Sequence, residues 1–221
     1  MSNSAASPKI GLALGSGASR GWSHIGIIKA LLREGIEPDI VCGTSVGAMI
    51  GASYLAGNLV NLENWVLSST RTDVLKFFNV KLGKSGFVDS DRLIRFLYQY
   101  VAGRGLQIES LPKPFIAIST DLENGREVWF QEGEVADAVR ASMALPGLFP
   151  AVRNEHRWLV DGGLVNPVPV STCRALGADV VIAVNLNSDV VDRRNQKKPE
   201  PVPGKKKGVL HNLTQTTLDY S

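Results

Sequence analysis

Short apolar runs that stop at glycine, each followed by a stretch with helical spacing, constrain this chain more than any other feature. Ile10–Leu14 ends at Gly15. Residues 22–34 follow with Trp22, Ile25, Ile28, Leu31 and Leu32 on one helical face and Gly35 as a stop. A second run, Ile40–Cys42, ends at Gly43, and small and apolar residues then extend from Val46 to Ala56, stopped by Gly57. Strand–helix–strand–helix in this order predicts a parallel sheet with right-handed crossovers. Phe115–Ser119 reads as a third strand, and Asn124-Gly125 as a hairpin turn into Glu127–Gln131. Glu134–Ala144 reads as a helix, Trp158–Val160 as a brief strand, Pro169–Leu176 as a helix and Val180–Asn185 as a buried strand. The expected fold class is α/β, a three-layer sandwich on a mainly parallel sheet, with a helical insertion across residues 58–110.

Composition narrows the function classes. Of 221 residues, 44% are hydrophobic and 20% charged, which is globular. No run approaches ~18 apolar residues, so no spanning helix is expected. Two cysteines in apolar surroundings, Cys42 and Cys173, suit a reducing compartment. Met1–Lys9 lacks the build of a signal peptide, so a cytoplasmic location is expected, with peripheral membrane contact as a further expectation. Net charge is +3, yet residues 193–207 alone carry seven bases against one acid. The remainder is therefore mildly acidic at −3, which argues against a nucleic-acid partner. The expected organisation is a folded domain over 8–187, a basic Pro/Lys-rich linker over 188–208, and the start of a C-terminal helix over 209–221.

Three motifs carry chemistry. Gly43-Thr44-Ser45-Val46-Gly47 matches G-x-S-x-G, which sets a serine on a strained strand-to-helix turn. With 18 serines and 22 glycines, chance supplies about 0.2 such matches. A second match, Gly17-Ala18-Ser19-Arg20-Gly21, shows that context must decide. Ser45 follows an apolar run by two residues and opens a helix. Ser19 lies five residues past Leu14, too far for such a turn. Ser45 is therefore the candidate nucleophile, against a bland role as helix cap.

The Gly15–Gly21 loop is a poor dinucleotide fingerprint, because Arg20 stands where the third glycine belongs and no acid ends the second strand. It reads better as an oxyanion loop, with backbone N–H groups of Gly15, Gly17 and Ala18 exposed at a helix start. For the base, two candidates stand. His211 follows the basic linker and would complete a Ser–Asp–His order. Asp161 closes Trp158–Val160 and opens Gly162-Gly163, with Leu159, Val160 and Leu164 able to raise its pKa. His24 reads as packing or surface, and His156 lies in a polar loop. No His/Cys/Asp cluster has metal-ligand spacing, so neither metal nor cofactor is expected.

Taken together, these motifs resemble the patatin-like phospholipase family, its short bacterial members above all. The resemblance covers residues 9–187. It rests on the Gly15–Gly21 loop, Gly43–Gly47, Asp161-Gly162-Gly163 followed by Asn166-Pro167, and Ala144–Pro150. It implies a Ser45–Asp161 dyad with no histidine, hydrolysis of lipid acyl esters, and Arg20 as a loop brace or phosphate contact. Rival readings are a non-catalytic partner-binding protein on the same fold and a triad esterase using His211. Ser16 and Ala18 stand where glycine is common in the family loop. The short bacterial members continue with a further helix and a closing strand, so Val209–Tyr220 is read as a helix that this chain cuts short. Residues 74–88 alternate large apolar residues with Lys76, Lys81 and Lys84, and read either as a core loop or as an interfacial flap.

Overall fold

The computed structural model describes residues 7–70 and 90–188. The linker, the C-terminal helix, His211 and the 74–88 segment lie outside the described residues. By its internal contacts the chain divides into a unit Met1–Asn187 and a second, Ser188–Ser221, of which only Ser188 is described.

Each apolar run becomes a strand. β1 (Ile10–Leu14), β2 (Ile40–Thr44), β3 (Phe115–Asp121) and β7 (Val180–Val184) form the parallel part of a seven-stranded sheet. β4 (Glu127–Phe130) and β6 (Arg157–Asp161) pair antiparallel with β3, and β5 (Val152–Asn154) pairs antiparallel with β6. Among the described residues six helices pack around it: α1 (Ser23–Arg33), α2 (Val46–Leu55), α3 (Leu59–Ser68), α4 (Ser90–Tyr100), α5 (Val135–Ser142) and α6 (Val170–Ala175).

The period of two along a strand divides the core into layers. Leu12, Leu14 and Val41 face one side, where they join Ile25 and Ile28 of α1, Met49 and Ile50 of α2, Leu62 of α3, Leu97 of α4 and Val139 of α5. Ala13, Cys42, Ile116 and Ile118 face the other side and pack on Cys173 of α6. The α/β three-layer expectation holds. α2 is buried on almost every face, so its small and apolar residues show no polar stripe. Cys42 and Cys173 are both buried and unbridged.

Two local expectations are corrected, and one strand was not expected. β7 is an edge strand rather than a buried one, with Val180 47% exposed, because among the described residues only β1 flanks it. Leu32 is exposed on α1 and does not join its buried face. β5 had no apolar signature: two of its three residues are exposed, and the turn to β6 passes through Glu155 at φ 52°.

Candidate active site

The meeting of Ser45 and Asp161 follows from strand bookkeeping around β3. β4 takes one edge of β3, opposite Ala117–Thr120. On the other edge β2 pairs only as far as Thr44 opposite Ile118. The next rung of that lane belongs to β6, which arrives antiparallel and places Asp161 opposite Ser119. Two strands thus share one lane and end head-on, so the residue after Thr44 faces Asp161.

That residue is Ser45, at φ 57° and ψ −122°. Such a backbone costs a non-glycine residue about 1–3 kcal/mol and persists only where its surroundings over-determine it. The surroundings do so. Ser45 N–H donates to Ser142 Oγ at 2.8 Å, and Ser142 Oγ donates to the Ile118 carbonyl. Thr44 Oγ1 donates to the Asn166 carbonyl at 2.8 Å. Close approach explains the flanking glycines. A Cβ on Gly47 would lie 2.1 Å from Leu14 O, and one on Gly43 would lie 2.4 Å from Ala48 Cα.

Ser45 Oγ donates to Asp161 Oδ2 at 2.6 Å, and the other carboxylate oxygen accepts the Gly163 N–H at 2.7 Å. Asp161 is 4% exposed. Burial pushes its carboxyl above the usual aspartate range, while the bonds from Ser45 and Gly163 pull the other way. Its backbone is pinned as well: its N–H donates to Ala144 O at 2.9 Å and its carbonyl accepts Thr120 Oγ1 at 2.9 Å. Gly162 is required because a Cβ there would stand 2.2 Å from Ile118 O.

The glycine loop after β1 borders the same cavity, a volume of about 220 Å³ lined by Ser45, Asp161, Gly17, Ala18, Arg20 and apolar side chains. Gly15 is corrected as an oxyanion donor. Its N–H is spent on Val184 O at 3.0 Å, and the Ser16 N–H is spent on Pro167 O at 2.8 Å. Among the described residues, the bonds that hold the loop leave the N–H groups of Gly17 and Ala18 unused, and Ala18 turns through φ 45°. Ser19 is exposed and stands in a short 3-10 turn, Ala18–Trp22. Arg20 Nη2 donates to Asn187 Oδ1 at 2.7 Å.

His24 is fully buried, and its Nε2 donates to the Gly15 carbonyl at 2.8 Å. Burial pushes its pKa below the usual histidine value, against the bond to Gly15, and that bond braces the loop. His156 sits in the β5–β6 turn. Among the described residues no group of three or more His, Cys, Asp and Glu could hold a metal ion.

The sequence profile of patatin-like phospholipases matches residues 12–174, a span that takes in the loop, the serine turn and Asp161. The chain belongs to the patatin-like phospholipase family. An uncharacterized NTE family protein of Mycobacterium tuberculosis is 35% identical over 193 residues, covering 87% of this chain and 53% of that protein. Lysophospholipase nte1 of Emericella nidulans is 32% identical, over 81% of this chain and 12% of its own length. The chain thus spans about half the length of the first of these relatives and a small part of the second. Among solved structures, VipD from Legionella pneumophila superposes with a TM-score of 0.52 at 17% identity, over 71% of this chain and 46% of that one, which supports the patatin-like fold.

Sequence reasoning missed two side chains of this patatin-like site. Ser142 sits in a run of small residues, Ala141-Ser142-Met143-Ala144, that reads as packing. Asn187 follows β7 in a polar stretch with no motif around it. Neither leaves a pattern, because each acts on a loop more than ninety residues away in sequence.

Proposed function

We propose that this chain hydrolyses lipid acyl esters, of the phospholipid and lysophospholipid class, through a Ser45–Asp161 dyad and an oxyanion hole built from the Gly17 and Ala18 N–H groups. The observation that carries the reading is the 2.6 Å bond from Ser45 Oγ to a buried carboxylate whose second oxygen is already fixed by Gly163. A serine needs an adjacent base to become a nucleophile, and a carboxylate with a raised pKa serves better than an ordinary one. In the first step Ser45 Oγ attacks the ester carbonyl carbon and its proton passes to Asp161 Oδ2. The carbonyl oxygen becomes an oxyanion facing Gly17 and Ala18 N–H. Collapse breaks the acyl–oxygen bond, and the departing alcohol takes the proton from Asp161. Water then attacks the acyl-enzyme, giving a proton to Asp161; the acyl–Oγ bond breaks, Asp161 returns that proton to Ser45 Oγ, and the fatty acid leaves.

The cavity wall suits an acyl chain: Met143, Leu145, Leu148 and Phe149 line it beside Ser45. Its rim supports peripheral contact with a lipid surface, since Leu145 and Leu164 are exposed there. Among the described residues no helix is long and apolar enough to cross a membrane. A fluorophosphonate probe, with mass spectrometry of the adduct, tests the reading alongside hydrolysis of a short-chain ester and of lysophosphatidylcholine. The adduct is expected on Ser45, and Ser45→Ala is expected to abolish labelling and both activities. An adduct on Ser19, or hydrolysis that persists in Ser45→Ala, overturns it.

A further inference from the structure

Asn187 stands just past β7, and its side chain holds the glycine loop from both ends. Its Nδ2 donates to the Ser16 carbonyl and to Ser16 Oγ, each at 3.1 Å. Its Oδ1 accepts from Arg20 Nη2 at 2.7 Å. Its own N–H is fixed by Asn185 Oδ1 at 2.9 Å, so the side chain starts from a set backbone. Ser16 precedes Gly17, and Arg20 follows Ala18 by two residues. The two unspent N–H groups therefore lie between two points tied to one amide. The neighbouring Leu186 closes the same contact, with Cδ1 only 2.8 Å from where a Cβ on Gly17 would stand. Among the described residues, the other bonds that tie this loop to distant segments end at Gly15 and Ser16, upstream of the donors.

We propose that Asn187 is the positioning residue of the oxyanion loop, with Arg20 completing the clamp. The proposal rests on the assignment of the Gly17 and Ala18 N–H groups as the hole. An amide is the side chain that fits, since it must donate twice on the Ser16 side and accept once on the Arg20 side. A carboxylate would keep the arginine yet turn an oxygen toward the Ser16 carbonyl. Displacing a donor from the developing oxyanion is costly because such groups act through preorganisation.

The test combines Asn187→Ala, Asn187→Asp, Arg20→Gln and the double variant Asn187→Ala/Arg20→Gln. Each single change is expected to lower kcat for a soluble short-chain ester about 10–100-fold, with KM moved less than about twofold. A trifluoromethyl ketone separates positioning from general damage. Ser45 Oγ adds to its carbonyl carbon, the serine proton goes to Asp161, and the ketone oxygen becomes the oxyanion. Its affinity is expected to fall by the same factor as kcat, while that of the matching alcohol, which forms no oxyanion, stays put. The double variant is expected to be no worse than Asn187→Ala, because both changes release one clamp. Turnover within about twofold of the parent, equal losses for ketone and alcohol, or losses that track the melting temperature each overturn the clamp. Should Asn187→Ala fail to fold, Arg20→Gln carries the same comparison. Ser45→Ala distinguishes the two levels: if it abolishes turnover while the Asn187 variants keep it, only the clamp is wrong. If it leaves turnover intact, the underlying dyad is wrong.

Discussion

Gly47→Ala tests whether the serine turn is held by close backbone approach. The added Cβ meets Leu14 O at 2.1 Å, Leu14 C at 2.6 Å and Gly15 O at 2.7 Å. All three neighbours are main chain, so no side chain can swing aside. Relief to an ordinary contact of 3.4 Å requires α2 and the end of β1 to separate by more than 1 Å. Leu14 and Gly15 lead directly into the loop that carries Gly17 and Ala18. The same movement that relieves the clash therefore shifts Ser45 relative to the Gly17 and Ala18 N–H groups proposed as its oxyanion donors. A misplacement of about 1 Å costs on the order of 10²-fold in rate. Overpacking of this kind costs about 1–3 kcal/mol in stability. Gly51→Ala, one turn further along α2, is the control. Its Cβ would meet side chains, Val41 Cγ1 at 3.0 Å and Leu14 Cδ1 at 3.3 Å, which can give way. Short-chain ester hydrolysis, fluorophosphonate labelling and urea unfolding should separate the two variants. If Gly47→Ala matches the parent in turnover and unfolding midpoint, the close-approach argument fails.

Three further outcomes are expected. Because burial raises the Asp161 pKa and the base must be ionised, kcat/KM for a soluble ester should climb with pH along a limb above the usual aspartate range; a limb at or below that range would contradict it. The same shift carries a stability cost: the native state holds the Asp161 proton more tightly than the unfolded chain, so its contribution is full below the ordinary aspartate pKa and is lost as pH rises through the elevated native value. Asp161→Asn should therefore melt above the parent at neutral pH while losing ~10²–10⁴ in kcat, with the melting difference shrinking as pH is lowered through that window. Gly26→Ala, on the exposed side of α1 with nothing within 4 Å of the new Cβ, should add about 0.5–1 kcal/mol to stability in denaturant unfolding and leave turnover unchanged.

What the sequence revealed depended on whether a residue acts on its neighbours in the chain. Gly43 is required by Ala48 and Gly47 by the end of β1, and with Ser45 between them they appear as a compact motif. Asp161 could be singled out because it ends a strand and precedes Gly162, which is needed where β6 passes Ile118 O. β2 and β3 were legible as apolar runs buried on both faces. Gly15 was misread because its N–H is consumed by Val184 of β7, 169 residues away, which no local pattern connects to it. β5 is three residues long and holds to β6 by pairing, with Val152 alone buried, so periodicity could not show it. Asn187 and Ser142 act across the fold through single hydrogen bonds, which impose no spacing on the chain.

The head-on meeting of β2 and β6 also fixes which acid can serve. Asp161→Glu keeps the charge and an ordinary carboxylate pKa close to that of aspartate, and changes only reach. One extra methylene lengthens the side chain by about 1.5 Å. The parent carboxylate has no such slack: one oxygen is 2.6 Å from Ser45 Oγ and the other 2.7 Å from Gly163 N. The backbone cannot retreat, because its N–H and carbonyl are bonded to Ala144 and Thr120 and the next residue lies against Ile118 O. A longer acid must therefore fold back on itself or push Ser45 aside, and it forfeits the Gly163 bond in either case. The expected loss is ~10²-fold or more in kcat, comparable to Asp161→Asn although the base is retained. Circular dichroism and the unfolding midpoint would establish that the fold survives. Glutamate that retains more than about a tenth of parental kcat would mean that the two strand ends have room to adjust. In that event the shared lane does not determine the dyad's geometry.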